Sequence, residues 1–305
     1  MGGIPSEHRL STSLEGSPGR LDAVVAEALG LSRADVQRAI ADGRVLVDGR
    51  VRPKSFRLEG GERIEVEPAG SAGLEPDPSP VTVVYRDEDL AVVSKPGGVV
   101  THPTASRRTG TLVNRLLGMG VPLAAGDDPL RPGIVHRLDA GTSGLLVVAS
   151  SERAHSALAE LFRRHEVDRR YVALVRGRPE HNEFLVEAPL ERRRARIQLG
   201  AVTGREAATE VTVRNRFERA SLVEARPRTG RTHQIRVHLS AVGHPIIGDR
   251  AYGGGGDEAK RLGLDRPFLH SWQVAFDHPV TGERIEAVDP LPKDLERALR
   301  LAQGG

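Results

Sequence analysis

The chain contains no cysteine. That absence removes disulfides, thiolate zinc sites and cysteine nucleophiles together, and it suits a reducing compartment, so a cytoplasmic location is expected. Aromatic residues are scarce: Trp272, three tyrosines and six phenylalanines among 305 residues. So few rings exclude the broad stacking platforms on which single-strand-binding proteins lay successive bases. No apolar run approaches the roughly 20 residues needed to cross a bilayer. The opening MGGIPSEHRLSTSLEGSPGR lacks the apolar stretch of a signal peptide. Residues 1–18 are therefore expected to form a flexible tail, and no membrane partner is expected. Fixed-period repeats, low-complexity tracts, a phosphate-cradling GxxxxGKS/T loop and an HExxH metal motif are also missing.

What is present is charge, unevenly placed. The net formal charge is only +3, but from Leu31 to Leu58 seven Lys/Arg face three aspartates, and the next nine residues reverse the sign. From Leu190 to His238 twelve arginines stand against five glutamates. Basic blocks set apart from acidic surface suit a polyanionic partner, although a solvated arginine-rich surface would look the same. Within the second block the run Glu191 to Arg196, ERRRAR, reads as a loop or hairpin that contacts phosphate, or as a plain solvated face.

The spacing of apolar residues divides the chain. In GRLDAVVAEALG, Leu21, Val24, Val25, Ala28 and Leu29 fall on one helical face, with Gly30 at the C′ position. SRADVQRAIADG opens on Ser32 as N-cap and closes at Gly43. RVLVDGRVR alternates around Asp48-Gly49, a two-residue hairpin signal, and ERIEVE adds another strand. Residues 19–69 are thus a small α/β domain, residues 70–80 a proline-containing linker, and residues 81–302 a second domain. The second domain alternates strands (Val81–Tyr85, Leu90–Ser94, Ile134–Val135, Leu145–Val148, RRYVALVRG, TEVTVRNRF) with helices at SERAHSALAELFRRHEV and THQIRVHLSAVG. No regular βαβ repetition appears, so the fold class is α+β with a mixed, mainly antiparallel sheet.

The chemistry concentrates in GIVHRLDAGTSGLLVV, where His136, Arg137 and Asp139 interrupt apolar strands. A carboxylate beside cations holds its charged form and can serve as nucleophile or general base. The same Asp139 would equally satisfy a structural turn. His102, His136, His233, His238 and His244 lack metal-ligand spacing and are read as structural or RNA-contacting; no metal site is expected.

Residues 19–69 resemble the alpha-L RNA-binding motif, through GRLD, LSRADVQRAIADGRVLVDGR and GERIEVE. That likeness implies RNA contacts from Arg33, Gln37, Arg38 and Arg44. SKPGGVVTHP, the HRLD block, RRYVALVRG and RTGRTHQIRVHLSAVGHPIIGDRAYG together resemble the RluA/RluD-type pseudouridine synthases, from about Val81 onward. The resemblance implies isomerisation of uridine to pseudouridine in structured RNA, ribosomal large-subunit RNA first and transfer RNA as the other option. It implies no cofactor and a monomer. It makes three residues catalytic: Asp139 the aspartate, Tyr171 the ring that stacks on a flipped base and whose hydroxyl could also take the proton leaving carbon 5, and Arg231 the partner of Asp139. Lys95, His102, His136, Arg137, Thr142, His233, Gln234 and Arg236 become RNA contacts by the same likeness. Two positions depart from the family pattern: Arg169 and Arg170 stand where lysine is common before the tyrosine, and Ala140-Gly141 follows the aspartate where charged residues are frequent. The rival reading is a non-catalytic RNA-binding or ribosome-assembly factor on the same fold; a metal-dependent nuclease is disfavoured by the missing carboxylate cluster.

Overall fold

A computed structural model describes residues 12–29, 33–41, 43–66, 74–104, 107–126, 128–193, 196–200 and 203–304. They form two compact units, divided at residues 72 and 73.

The first unit contains β1 (Thr12–Glu15), β2 (Gly19–Arg20), α1 (Leu21–Leu29), α2 (Arg33–Ala41), β3 (Val45–Val47), β4 (Arg50–Val51), β5 (Arg57–Leu58) and β6 (Arg63–Val66). Leu21, Val25, Val36, Ile40, Val45, Val47 and Ile64 make its core, as the helical and alternating spacings require. The hairpin turns at Asp48-Gly49, whose φ angles of 50° and 70° fit a two-residue primed turn. One expectation is corrected. Residues 12–15 are no tail: β1 pairs antiparallel with β6, because ERIEVE would otherwise present an unpaired edge. Residues 1–11 and the proposed caps Gly30 and Ser32 lie outside the described residues.

The second unit holds β7 (Thr82–Arg86), β8 (Leu90–Lys95), α3 (Leu112–Gly118), β9 (Ser143–Ala149), α4 (Glu152–Arg163), β10 (Asp168–Arg176), β11 (Glu183–Glu187), β12 (Leu190–Arg193), β13 (Arg196–Leu199), β14 (Ala208–Arg216), β15 (Ala220–Pro227), α5 (Gln234–Ala241), α6 (Asp257–Arg261), β16 (Leu269–Asp277), β17 (Arg284–Val288) and α7 (Lys293–Gln303). A nine-stranded sheet runs β11-β14-β15-β10-β16-β9-β8-β7, with β17 on the far end of β16. Its pairings are antiparallel except one, where His270 and Ser271 of β16 lie parallel to Ser143 and Gly144 of β9. Gly144 is needed there: a Cβ on it would stand 2.2 Å from the Ser271 carbonyl oxygen. Strand β9 is buried along its whole length, as its unbroken apolar run requires.

Two further expectations change. Ile134–Val135 is not a strand; Ile134 makes only an isolated bridge to Val148. Residues 74–80 do not hang free as linker: the Asn114 side-chain amide donates to the Glu75 carbonyl, and Asp77 N–H donates to the Asn114 carbonyl. The ERRRAR run does form a hairpin, β12 with β13, whose tip lies outside the described residues. Among the described residues no helix is long and apolar enough to cross a membrane.

Candidate active site

A cavity of about 540 Å³ opens at the ends of β9, β10 and α5, lined among others by Asp139, Tyr171, Arg169, His233 and Arg236. Asp139 sits on the loop before β9, and that loop is clamped at three backbone carbonyls. Thr101 Oγ1 donates to the Leu138 carbonyl, the N–H of Gly98 and Lys95 Nζ donate to the Ala140 carbonyl, and Arg266 Nη1 donates to the Gly141 carbonyl. Arg266 is itself held by both oxygens of Asp294 on α7. The carboxylate position is therefore set by elements from both ends of the unit.

Arg236, on the first turn of α5, donates from Nη1 to Asp139 Oδ2 at 3.0 Å and grips Asp249 through Nε and Nη2 at 2.7 and 2.9 Å. Burial opposes the charge on Arg236, but Asp249, and after it Asp139, outweigh that and raise its pKa above the ordinary guanidinium value. Asp139 Oδ1 accepts no hydrogen bond among the described residues and lies 3.7 Å from His233 Nε2. His233 adopts a left-handed φ of 56° just before α5 and shares a 2.8 Å hydrogen bond with the Tyr252 hydroxyl. Burial lowers the His233 pKa, with Asp139 pulling the other way. One carboxylate oxygen is thus fixed by a buried arginine while the other faces the cavity.

Tyr171 lies on β10 with its ring at the cavity and only 7% exposed. Burial raises its pKa, which keeps the hydroxyl protonated and leaves the ring as its main offering.

Residues 89–241 match the RNA pseudouridylate synthase family and residues 19–64 match the S4 domain. The chain is 40% identical over 291 residues to an uncharacterized RNA pseudouridine synthase of Mycobacterium bovis, covering 93% of this chain and 94% of that one. It is 39% identical over 294 residues to the ribosomal large subunit pseudouridine synthase D of Xanthomonas campestris, covering 92% and 88%. The chain belongs to the RluA-type RNA pseudouridine synthases. Human RNA pseudouridylate synthase domain containing 1 has a similar fold, with a TM-score of 0.57 and 27% identity over 71% of this chain and 85% of that one. The protein is an isomerase that carries an S4 RNA-binding domain, the motif expected above as alpha-L.

Within this synthase the structure redistributes the expected roles. Arg231 is not the partner of Asp139: it precedes α5 and its Nε donates to the Glu206 carbonyl. Arg236, expected to touch RNA, takes that place because the first turn of α5 aims it inward between two carboxylates. Lys95 is fully buried, and its ammonium donates to the carbonyls of Pro96, Val99 and Ala140, so it cannot meet RNA. Burial, then the nearby Arg266, pushes its pKa down to about 7. Gln234 spends both ends of its amide inside the protein, on Thr229, the Arg231 N–H, Ala208 and Thr209. His102 is sealed against the Pro103 carbonyl, while Thr142, though buried, lines the cavity with its N–H on the Asp139 carbonyl.

His136 lines the cavity as a neutral ring. Its Nε2 accepts from the Val147 N–H, it stacks on Phe162 at 4.2 Å, and burial, with Arg169 adding, pushes its pKa down to about 3. Arg137 is exposed at the cavity mouth and remains available to RNA.

In the S4 domain, the Gln37 amide is consumed between Asp22 and Lys54, which corrects its role as an RNA contact. Arg33 holds Asp22 with one nitrogen and leaves 57% of its side chain exposed. Arg44 is half-buried, and the Arg38 side chain lies outside the described residues. Asp249 and Tyr252 went unassigned in the sequence, although both stand in the GHPIIGDRAYG block.

Proposed function

We propose that the protein converts uridines of large-subunit ribosomal RNA to pseudouridine in the cytoplasm, with Asp139 as the catalytic carboxylate. The observation that carries the role of Asp139 is its half-satisfied state: Oδ2 pinned by Arg236, Oδ1 open to a cavity walled by Tyr171. The reaction breaks the bond from C1′ to N1, turns the base and joins C1′ to C5. The C5 proton leaves and N1 gains one, so atoms and electrons balance within the nucleotide. A fixed carboxylate can attack the nucleotide or move its protons. The base must first leave its stack, and the Tyr171 ring offers it a new face. Arg236 orients the carboxylate and holds it in place through Asp249. Residues 19–69 would anchor RNA while residues 81–302 perform the chemistry.

The ribosomal assignment draws on the name of the Xanthomonas relative. The test is pseudouridine mapping in RNA from cells with and without the gene. Loss of a modified site in large-subunit RNA is expected. Loss confined to transfer RNA would overturn the substrate, and no lost site would favour the non-catalytic assembly factor.

A further inference from the structure

Arg169 is an arginine without an acid. It is 8% exposed, its Nε is buried, and no hydrogen bond or ion pair reaches its guanidinium among the described residues. Its nearest described partner is the ring of Phe162, 5.5 Å from the guanidinium carbon to the centroid. Several neighbouring arginines are matched to acids: Arg170 with Asp168 and Glu224, Arg226 with Asp168, Arg228 with Glu210, Arg236 with Asp139 and Asp249. Arg137 and Arg231 line the cavity too, but Arg137 is exposed and Arg231 is held by a backbone carbonyl. A buried cation with no counter-charge is costly unless a ligand brings one.

The position of Arg169 says what that ligand is. Arg169 is two residues before Tyr171 on β10 and lines the Asp139 cavity. It also lines an adjacent groove, shared through His165 and Pro227, where Arg226 and Arg228 are already paired with Asp168 and Glu210. A second orphan donor lies in the same wall: His136 uses Nε2 as an acceptor, so its proton is on Nδ1, and that buried atom has no partner. This part of the cavity wall therefore holds two buried donors, Arg169 Nε and His136 Nδ1, that no acceptor among the described residues satisfies.

We propose that Arg169 binds a backbone phosphate flanking the target uridine, holding the nucleotide while its base lies against Tyr171. The guanidinium fork matches two phosphate oxygens, a geometry that a lysine ammonium does not reproduce. The proposal rests on the Asp139 cavity being the uridine site, and its test separates the two.

The probe is a synthetic RNA hairpin spanning the uridine mapped as above, with the phosphate on its 5′ or its 3′ side replaced by an uncharged methylphosphonate. With the intact protein, one of the two replacements should lower kcat/KM about 10- to 100-fold, the loss of one hydrogen-bonded charge pair. Arg169→Gln should lower kcat/KM on the unmodified hairpin by a similar factor, and the same methylphosphonate should then cost less than about twofold more, the mark of a shared interaction. Arg169→Lys should fall between, and supplies the same comparison if Arg169→Gln fails to fold. Losses that simply multiply at both phosphates, or an intact protein indifferent to both replacements, would overturn the phosphate site. Either result alongside an inactive Asp139→Asn variant leaves the Asp139 reading standing; an active Asp139→Asn variant removes it.

Discussion

Asp22 in the S4 domain and Asp139 in the catalytic unit are both carboxylates in arginine-rich surroundings, and they differ in what remains unused. Asp22 is fully buried and accepts from Arg20 Nε and Nη2, Arg33 Nη2 and Gln37 Nε2, at 2.8 to 3.3 Å. Hydrogen bonding from Arg20 leads the causes that hold it far below the usual carboxylate range. Asp139 has one fixed oxygen and one that meets only a cavity and an imidazole edge. The first carboxylate ties two helices together; the second is positioned through one oxygen, with the other left without a hydrogen bond among the described residues. Residue type alone does not separate them, whereas the count of satisfied lone pairs does.

The comparison breaks most visibly at Asp139. Asp139→Asn should lower turnover by at least about 1000-fold while leaving RNA affinity equal or improved, since shape is kept and a negative charge is lost. Tritium release from carbon-5-labelled RNA beside a filter-binding titration reads both, and undiminished release from a folded variant would show Asp139 to be a turn residue. Arg236→Gln should cost about 100-fold in kcat and lower the melting temperature, because Asp249 is left buried and unpaired. Arg231→Gln should stay within about tenfold, so equal losses at the two arginines would undo the pairing described above.

Asp22→Asn should destabilise the S4 domain by about 3 kcal/mol and weaken RNA binding. It should leave turnover at saturating RNA unchanged, which a two-transition melting curve and a KM-against-kcat comparison report. The sign with pH follows from the depressed pKa. The Asp22 contribution is complete above its unfolded value of about 4 and drains away as pH falls below it, so the variant should lose most of the acid limb of that transition. The smallest effect is expected at Tyr171→Phe. The raised pKa of the phenol argues against a standing base, so turnover should stay within about tenfold, whereas Tyr171→Leu, which removes the ring, should lose far more. A Phe variant as inactive as Leu would give the hydroxyl a proton-transfer role.

Local patterns were readable where their cause is local. The Asp48-Gly49 turn, the helices of the S4 domain and the buried β9 run follow from a few adjacent residues. Site roles were less readable, because hydrogen-bond partners come from afar. Lys95 in SKPGG looks available to phosphate, yet one carbonyl that consumes it belongs to Ala140, 45 residues on. Arg231 and Arg236 are equivalent candidates in RTGRTHQIR until the left-handed His233 starts the helix at Gln234 and turns Arg236 inward. Asp249, 13 residues beyond Arg236, is the partner that decides between them, and only the fold brings it there. Arg169 stands out in the sequence only as a change from lysine, and its lack of an ion pair among the described residues is a property of packing.

The parallel seam at Gly144 has a bearing on timing. Strands β7 to β9 and the pair β14 and β15 can form as neighbours along the chain, at small entropic cost. Joining them into one sheet requires Ser143 to meet His270, 127 residues later, and closures of that span are slow. Asp139 lies just ahead of the seam, and Tyr171 faces Ser271 across the same strand. The wall that carries Asp139 and Tyr171 is therefore completed only when the segment with His270 and Ser271 docks, late in the chain's order.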